Sequence, residues 1–481
     1  MLTPSIISAS SATVLPVRSI PGSYGLPLLG PLKDRMDYFW FQGPKTFFLD
    51  RMEKHKSTVF RTNVPPTFPF FLRVNPQMIA ILDCKSFSYL FDMSVVEKKN
   101  VLVGDYMPSV SYTGDIRVLA YLDTEEKQHS SIKSFVMDTL KMSSKVWVSE
   151  FLQSVDIFFD AIDKDLSGNS SAGFVVPMQQ CILRFLMKSI VGADPAVRPD
   201  IEKNGFAILD TWLALQLIPT QKVGVIPQPL EELLLHSFPF PSFIANWGYR
   251  KLYDFVDGEG KETVSRAMKE YNLTKDEAIH NLLFVLGFNA FGGFSIFIPT
   301  LLSTIGRDKT GLREKLRDEV RRLKGDVLSF ETVRQMELVM STVYEVLRLN
   351  PPVELQYARA RKDFILSSHE SAFAVKKGEL LCGYQTLAMR DPVVFDRPEE
   401  FTADRFTGEK GKELLNYLFW SNGPQTGTPS SSNKQCAAKD YVVATAGLLV
   451  AAIFKRYDDF TIDDQSVSFT KLVKATEDHG Q

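Results

Sequence analysis

The sequence predicts a single, mainly α-helical domain with a small β portion near each end. Apolar residues recur at spacings of three and four over most of the chain, which is the period of an amphipathic helix. Short β-branched or aliphatic runs at 57–64, 79–82 and around 364–382 predict strands. No internal repeat or low-complexity tract divides the 481 residues, so a length that would suit several average domains indicates one large fold.

The predicted helices follow one another along the chain, at 124–142, 149–166, 176–192, 204–217, 274–306, 311–324, 331–349 and 437–455. The helix at 274–306 has no Asp, Glu, Lys or Arg between Ala278 and Gly306, and it is long enough to cross a membrane. Asn289, Gly293 and Pro299 interrupt this apolar stretch and favour the central buried rod of a soluble protein. Small residues in its middle would let a flat, bulky group approach the backbone.

Composition excludes several classes of function. Hydrophobic residues make up 44% and charged residues 23%, which is typical of a globular chain rather than a disordered one. The 55 basic and 57 acidic residues give a net charge of −2, so the basic excess of a nucleic-acid-binding protein is missing and no nucleic-acid partner is expected. The 36 Phe residues indicate a large apolar core or pocket.

Residues 1–19 are predicted to be a transit peptide or a disordered tail, and 20–481 to be the folded domain. No acidic residue precedes Asp34, and the segment is rich in serine, which is typical of an organelle targeting peptide. Its apolar residues are interrupted by Ser and Pro, which argues against a membrane anchor at this end.

The four cysteines, Cys84, Cys181, Cys382 and Cys436, are too sparse for a disulfide framework and show no CxxC spacing for zinc. Any special cysteine therefore acts singly. Cys436 lies just before the helix predicted at 437–455, where the helix dipole and free backbone N–H groups favour a thiolate. A lone thiolate is a good ligand for iron.

Two charged motifs precede this cysteine. Glu345 and Arg348 are three residues apart on one helix face and can pair. The run 398–406 contains Arg405, which could join that pair as a second cation in a buried cluster. Taken alone, each motif is equally well explained by an ordinary surface ion pair.

In this order, the E-x-x-R helix, the P-E-x-F…R-F loop and the glycine-containing loop that ends in Cys436 resemble the cytochrome P-450 superfamily of haem-thiolate proteins. The resemblance implies the P-450 fold, haem b as the cofactor, Cys436 as the axial ligand of its iron, and a structural role for Glu345 and Arg348. Two features depart from the usual pattern. Gly423 and Cys436 are 13 positions apart, which makes the loop unusually long, and Gly287–Phe297 lacks the acid–Thr pair that oxygen-activating members use.

Both departures, with the run Gly287–Gly293, resemble the plant branch that metabolises fatty acid hydroperoxides. This branch contains allene oxide synthases, divinyl ether synthases and hydroperoxide lyases, and the likeness covers about residues 18–475. The segments 21–25, 57–71 and 416–440 are most similar to the 13-hydroperoxide lyases. The implied reaction cleaves 13-hydroperoxides of linoleic or linolenic acid through a hemiacetal to a six-carbon aldehyde and a twelve-carbon oxo acid, without dioxygen, NADPH or a reductase.

The resemblance also implies roles for individual residues. Asn289 would orient the hydroperoxide above the distal face of the haem. The cations that would bind the two haem propionates are Lys98, His129, Lys133 and Lys434. The residues that would form the substrate pocket are Leu102, Ala120, Phe288, Phe291 and Gly292.

The choice within the branch depends on two pocket positions. Allene oxide synthases resemble one another in having Phe where this chain has Leu102 and Ser where it has Ala120. An aromatic ring near the reacting carbon would help to oxidise a carbon radical to a cation, whereas Leu102 offers no such help and favours the lyase. An allene oxide or divinyl ether synthase, an NADPH-dependent monooxygenase and a non-catalytic membrane protein spanning 278–306 stay open as alternatives.

The resemblance further implies a chloroplast location, associated with the envelope or the thylakoids. Any contact with the membrane is expected to be peripheral and without a transmembrane helix.

Overall fold

The computed structural model describes residues 15–65, 73–224, 226–322 and 327–475. Helices make up 56% of the structure and strands 12%, which confirms the prediction of a mainly α fold. Of the segment predicted to be a transit peptide or a disordered tail, 1–19, residues 1–14 lie outside the described residues.

The α-helices of the described residues, in chain order, are α1 (Leu29–Met36), α2 (Pro44–His55), α3 (Cys84–Phe87), α4 (Lys127–Gly168), α5 (Val175–Leu186), α6 (Pro199–Leu217), α7 (Gln228–Leu235), α8 (Phe243–Glu259), α9 (Lys261–Tyr271), α10 (Lys275–Phe284), α11 (Gly292–Gly306), α12 (Leu312–Arg322), α13 (Phe330–Arg334), α14 (Glu337–Leu349), α15 (Gln385–Ala388), α16 (Gly408–Leu414) and α17 (Lys439–Arg456). The strands are β1 (Val17–Arg18), β2 (Val59–Asn63), β3 (Gln77–Ile81), β4 (Val96–Glu97), β5 (Ala172–Gly173), β6 (Leu355–Ala360), β7 (Phe364–Ser367), β8 (Ala372–Val375), β9 (Leu380–Tyr384), β10 (Tyr457–Ile462) and β11 (Ser468–Lys474).

Strands from the two ends of the chain meet in shared sheets. The largest sheet has the order β2-β3-β9-β6-β4, and two smaller sheets have the orders β1-β8-β7 and β10-β11-β5. β3 and β9 run parallel although some 300 residues separate them, with Ile79 opposite Leu381. This pairing closes the N-terminal part of the chain onto its C-terminal third, so the predicted β portions near each end belong to one domain.

Val17 and Arg18, predicted to lie in the tail, instead form strand β1. They pair in parallel with Ala372 and Phe373 of β8, and the Ala372 N–H donates to the Pro16 carbonyl at 3.0 Å. A two-residue strand satisfies backbone groups only and leaves no periodic pattern in the sequence. The fold therefore begins a few residues before the predicted boundary at residue 20.

The helices predicted at 124–142 and 149–166 are one continuous helix, the 42-residue α4. The polar run between them does not interrupt the helix because Trp147 is buried there and donates its indole N–H to the Thr445 hydroxyl of α17 at 2.8 Å. Helices α7, α8 and α9 were not predicted at all. The predicted helix at 331–349 is divided into α13 and α14.

The long apolar stretch forms a rod made of α10, a π-helical segment Val285–Phe291 and α11. A capping box between Thr274 and Glu277 begins it. Among the described residues this rod, Lys275–Gly306, has the length and apolar composition that crossing a membrane requires, and half of its most apolar window is buried inside the protein. α11 packs on α5, α14 and β10, as expected of a central core element.

A buried ion cluster ties helix α14 to the loop that follows α15. Glu345 and Arg348 are fully buried, and Arg348 donates to both carboxylate oxygens of Glu345 at 2.7 and 2.8 Å. Arg405 adds hydrogen bonds to the same oxygens at 3.0 and 3.1 Å, as predicted. Arg348 also donates to the Met389 and Pro398 carbonyls at 2.9 and 2.7 Å. One carboxylate thus neutralises two guanidinium groups and anchors an irregular loop.

We expect Glu345→Gln to destabilise the protein by about 3–5 kcal/mol, because it leaves Arg348 and Arg405 buried without a counter-charge. The urea midpoint measures the effect. Glu409→Gln is the matched control, since Glu409 pairs with Lys412 at the surface and is 89% exposed. Equal midpoints for the two variants would contradict the importance of the buried cluster.

Candidate active site

Cys436 lies in a loop just before helix α17, where the sequence places it. Its N–H donates to the Ser421 carbonyl at 3.1 Å, and the Trp420 N–H donates to the Gly423 carbonyl at 2.9 Å. Cys436 is half-buried, whereas the other three cysteines are fully buried. Burial raises the pKa of Cys181 to about 12 and also raises the pKa values of Cys84 and Cys382. Cys436 is therefore the one cysteine that is not fully buried, and it stands just before the N-terminus of α17.

The unusually long loop before Cys436 folds around the side chain of Gln435. The Gln435 amide donates to the Pro424 carbonyl at 2.6 Å. A Cβ added to Gly423 or to Gly427 would stand 2.7 or 2.6 Å from this side chain, so glycine is needed for the close approach at both positions. Gln435 holds the inserted residues in an ordered turn, and no periodic pattern in the sequence indicated this role.

Burial raises the pKa of the Cys436 thiol, against the prediction that its helix terminus favours a thiolate. The predicted effect is present but smaller, because Lys133 and the N–H of Ala438 both act to lower this pKa. A bound metal ion deprotonates a coordinating thiol and so overcomes the cost of burial.

The four predicted propionate ligands are gathered beside this loop. Lys133 donates its ammonium to the Gln435 carbonyl, next to Cys436. Lys434 donates to the Leu119 and Leu122 carbonyls, at 2.8 Å each.

Lys98 donates to the Tyr357 carbonyl and is 4% exposed, as is Lys133. Each ammonium therefore donates to a backbone carbonyl and forms no direct ion pair with a carboxylate of the described residues, so its charge is only partly compensated.

Burial destabilises the charged forms of these side chains. Burial lowers the pKa of Lys98 to about 7, with Lys434 adding to the shift and Asp123 opposing it. Burial likewise lowers the pKa of Lys434 to about 7, with Lys133 adding to the shift. Burial lowers the pKa of His129 to about 4, and Lys434 and Lys133 add to this shift. An anion bound among these groups would reverse all of these shifts.

His129 shows the same need for a ligand. It is fully buried, and neither ring nitrogen makes a hydrogen bond of normal geometry to a described residue, although the Ser431 carbonyl lies near enough to raise its pKa slightly. Buried polar atoms are rarely left in this state. Three lysines and an unsatisfied histidine beside the Cys436 thiol fit a cofactor with two carboxylates and a metal ion, which is the chemistry of haem.

The rod α10–α11 carries the predicted distal residues. Asn289 lies in its π-helical segment, a kind of irregularity that is frequent at functional sites. Its side chain is exposed and makes no hydrogen bond to a described residue, so it does not serve to satisfy a neighbouring carbonyl. A Cβ added to Gly293 would meet no atom within 4 Å, which leaves the backbone open to a bulky group there.

The predicted pocket residues occupy different surroundings. Phe288 is half-buried and stacks on Phe284, with ring centroids 4.7 Å apart, whereas Phe291 is fully buried in the core. Gly292 is approached by Leu213, since a Cβ added there would stand 3.2 Å from it.

Leu102 and Ala120 are both half-buried against the main core. The segment around Ala120 is joined to the Cys436 loop by Lys434, and it is joined to α10 by a hydrogen bond of 2.9 Å from the Leu119 N–H to the Asn281 side chain.

Asp123 is a site residue that the sequence did not reveal. Its carboxylate accepts the Lys98 backbone N–H at 2.7 Å and the Arg361 guanidinium at 2.8 Å, and it lowers the cost of burying Lys98. These two partners come from segments that are distant from it along the chain, so no local pattern could have identified it.

Comparison with known proteins gives consistent results. A family model described as Cytochrome P450 matches residues 261–426. Fatty acid hydroperoxide lyase, chloroplastic, from Solanum lycopersicum is 60% identical over 474 residues, covering 98% of this chain and 99% of that protein. Linolenate hydroperoxide lyase, chloroplastic, from Arabidopsis thaliana is 59% identical, covering 97% and 95%. Allene oxide synthase, chloroplastic, from Linum usitatissimum is 44% identical, covering 97% and 88%.

A solved structure supports the fold. The crystal structure of a cytochrome P450DA mutant heme domain superposes with a TM-score of 0.69 at 14% identity, covering 96% of this chain and 98% of that one. The chain therefore belongs to the cytochrome P450 family of haem-thiolate enzymes, in the branch of fatty acid hydroperoxide lyases and allene oxide synthases. The chain is more similar to the lyases than to the allene oxide synthases, which confirms the prediction of a lyase within this branch.

We expect Cys436→Ala to abolish the Soret band that marks a thiolate-ligated haem, because the other three cysteines are fully buried. The absorption spectrum and the iron content of the purified protein measure this loss. Cys382→Ala, which alters a fully buried cysteine, is the matched control and should keep the band. A normal haem spectrum in the Cys436 variant would contradict its assignment as the ligand.

Proposed function

We propose that this protein cleaves 13-hydroperoxides of linoleic and linolenic acid, through a hemiacetal, to a six-carbon aldehyde and a twelve-carbon oxo acid. The observation that carries the proposal is a P450 fold whose central rod has Asn289, and no Asp, Glu or Thr, over Gly287–Phe297. Such a rod has no acid–hydroxyl pair to deliver protons to dioxygen. A substrate that already contains an O–O bond needs no such relay, so neither NADPH nor a reductase is required.

The cofactor would be held by residues from three parts of the chain. Cys436 would ligate the iron, and Lys98, His129, Lys133 and Lys434 would bind the two propionates. Haem with a thiolate ligand supplies the scission of the O–O bond. In this arrangement each buried cation gains an anionic partner, which offsets the burial that lowers the pKa values of these groups.

Asn289 would bind the peroxide oxygens by hydrogen bonds from its amide, which no described residue occupies. The pocket for the acyl chain would be formed by Leu102, Ala120, Phe288 and Gly292. Phe291 was also predicted to lie in this pocket, but it is fully buried in the core and offers no surface to a ligand. Aliphatic and aromatic surfaces suit a fatty acyl chain, and an amide suits the hydroperoxide, which is the polar group in the middle of that chain.

Leu102 would decide the outcome of the reaction. An alkyl side chain cannot stabilise an electron-poor carbon as an aromatic face can. Beside Leu102, a carbon radical formed from the substrate would therefore combine with the hydroxyl group released when the O–O bond breaks, rather than lose an electron and become a cation. The product would be the hemiacetal, which breaks into two carbonyl compounds. Allene oxide synthesis is the second candidate, because relatives with that name are 41–44% identical to the chain.

We further propose a chloroplast location with peripheral attachment to the envelope or the thylakoids. The curated relatives that support it carry chloroplastic in their names.

The purified holoenzyme, given 13-hydroperoxylinolenate without NADPH, should yield the aldehyde and the oxo acid, identified by mass spectrometry. Asn289→Leu should lower kcat/KM by roughly 100-fold, the order of effect seen when one donor to a developing charge is removed, with an unchanged Soret band. Asn204→Leu, at an exposed position of α6, is the control. An allene oxide as the main product would refute the lyase assignment, and turnover that depends on NADPH would refute the branch.

Leu102→Phe should shift the products toward the allene oxide and its hydrolysis products, because the ring would stabilise the cation. Leu102→Ile, which keeps an aliphatic side chain of the same size, should keep the lyase products. The ratio of ketol to aldehyde measures the shift. An unchanged ratio in Leu102→Phe would remove the role assigned to this position.

A further inference from the structure

Four aromatic side chains from three helices form a stacked column beside the first part of the central rod. Trp212 of α6 lies over Tyr249 of α8, with ring centroids 5.5 Å apart and planes inclined by 18°. Tyr249 in turn stacks on His280 of α10, with centroids 5.7 Å apart and planes inclined by 8°. Tyr253, one turn further along α8, has its centroid 5.2 Å from that of the same His280 ring. We call Trp212, Tyr249, His280 and Tyr253 together the aromatic column.

The inner end of the aromatic column lies against the rod, close to Asn289. A Cβ added to Gly287 would stand 3.3 Å from a ring carbon of Trp212, so the indole packs directly on the π-helical segment. Trp212 also meets Phe284 edge to face, with centroids 6.0 Å apart, and Phe284 stacks on Phe288 at 4.7 Å. Phe284 and Phe288 therefore connect the column to the predicted substrate pocket.

The outer end of the aromatic column reaches the protein surface. The Tyr253 hydroxyl donates a hydrogen bond to the carboxylate of Asp276, which is exposed. The guanidinium of Arg250 lies over the Tyr253 ring, 4.8 Å from its centroid, and the Arg250 side chain is 70% exposed. The column therefore runs from the buried rod to groups that are in contact with water.

Each tyrosine of the aromatic column has a proton acceptor. The Tyr249 hydroxyl and Nδ1 of His280 share a hydrogen bond of 2.8 Å. Burial lowers the pKa of His280, with Asp276 opposing the shift, so this imidazole is neutral near pH 7 and can take up a proton. The Asp276 carboxylate is the acceptor for Tyr253. A phenol loses an electron far more easily when its proton can leave at the same time, because the oxidised phenol is a strong acid.

Ordinary packing does not require this choice of side chains. The chain has 36 Phe against 15 Tyr and 5 Trp, so an aromatic cluster of the core is expected to be mainly phenylalanine. The contacts among Phe158, Phe159 and Phe469 are of that kind. The aromatic column contains no phenylalanine. Three of its four members are Trp or Tyr, the side chains that most readily give up one electron, and the fourth is a base.

We propose that the aromatic column conducts single electrons from the surface to the haem, and so restores the enzyme when a substrate radical escapes before it recovers the hydroxyl group. Tyr253 loses one electron, which travels through Tyr249 and Trp212 to the haem, and its phenolic proton passes to Asp276. The haem returns to its ferric state, and the hydroxyl group left from the peroxide takes up a proton from solvent and leaves as water. A water-soluble enediol or thiol then gives the Tyr253 radical one electron, and Asp276 returns the proton.

The two phenylalanines at the inner end keep this transfer slower than the normal reaction. The rings of Phe284 and Phe288 are not readily oxidised, so an electron crosses them in one step rather than resting on them. Recombination of a substrate radical with a hydroxyl group beside it has no such distance to cross. The proposal rests on the haem and peroxide chemistry of the proposed function, but not on which product that chemistry forms.

Rapid-freeze electron paramagnetic resonance tests the proposal on the holoenzyme. A peracid, added without fatty acid, oxidises the ferric haem by two electrons, so the result does not depend on the lyase assignment. The wild type should show a protein radical whose spectrum narrows when its tyrosines carry ring deuterium. Tyr249→Phe combined with Tyr253→Phe should lose this tyrosyl signal and keep the Soret band. Trp212→Phe should lose the signal as well, because it interrupts the path.

The matched control combines Tyr38→Phe and Tyr384→Phe, two buried tyrosines of a separate cluster around Phe48, and it should keep the signal. With 13-hydroperoxylinolenate, the variant at Tyr249 and Tyr253 should keep the kcat/KM of the wild type but complete fewer turnovers before it is inactivated. Ascorbate, an enediol, should raise the number of turnovers of the wild type and of the control only. A wild type without a protein radical, or tyrosyl signals of equal size in the two double variants, would overturn the proposal. Equal numbers of turnovers in the two double variants would contradict the restoring role.

Discussion

Partly compensated positive charge beside the Cys436 loop is the constraint on which the site depends. Lys98, Lys133 and Lys434 are withdrawn from water and bonded to backbone carbonyls, with Asp123 as the acidic neighbour that opposes the cost. A group of this kind is costly to bury unless something anionic joins it. A dianionic cofactor bound here would offset this cost, and the loop that carries Lys434 also carries Cys436, the proposed sulfur ligand.

Separate parts of the fold hold the Cys436 side and the Asn289 side of this site. On one face, the Glu345 carboxylate with its two arginines anchors the loop after α15, and Gln435 orders the long turn before Cys436. On the other face, the rod α10–α11 presents Asn289 from a π-helical segment packed against α6. Because the rod carries no acid or threonine at its centre, the site is suited to a substrate that brings its own O–O bond.

Several of these features were accessible from the sequence. The apolar period predicted most of the helices, and the order of Glu345, Arg405 and Cys436 predicted both the buried ion cluster and the thiol at the start of α17. Other features were not accessible. Two predicted helices are one because Trp147 between them is buried and donates a hydrogen bond to Thr445 of the distant helix α17. Strand β1 forms because it pairs with β8, which lies far along the chain. Helix α7 was missed because its eight residues are too few to show a clear helical period.

The sequence by itself determined the class of the protein, because the residues that carry the chemistry stand in short motifs whose order is written along the chain. Only the tertiary structure decided how the charges balance. The pairing of Asp123 with Lys98 and Arg361, the isolation of the His129 ring and the inward turn of Glu231 depend on which segments meet in space. The physical reason is that electrostatic energy depends on distance and burial, and neither quantity can be read from separation along the chain.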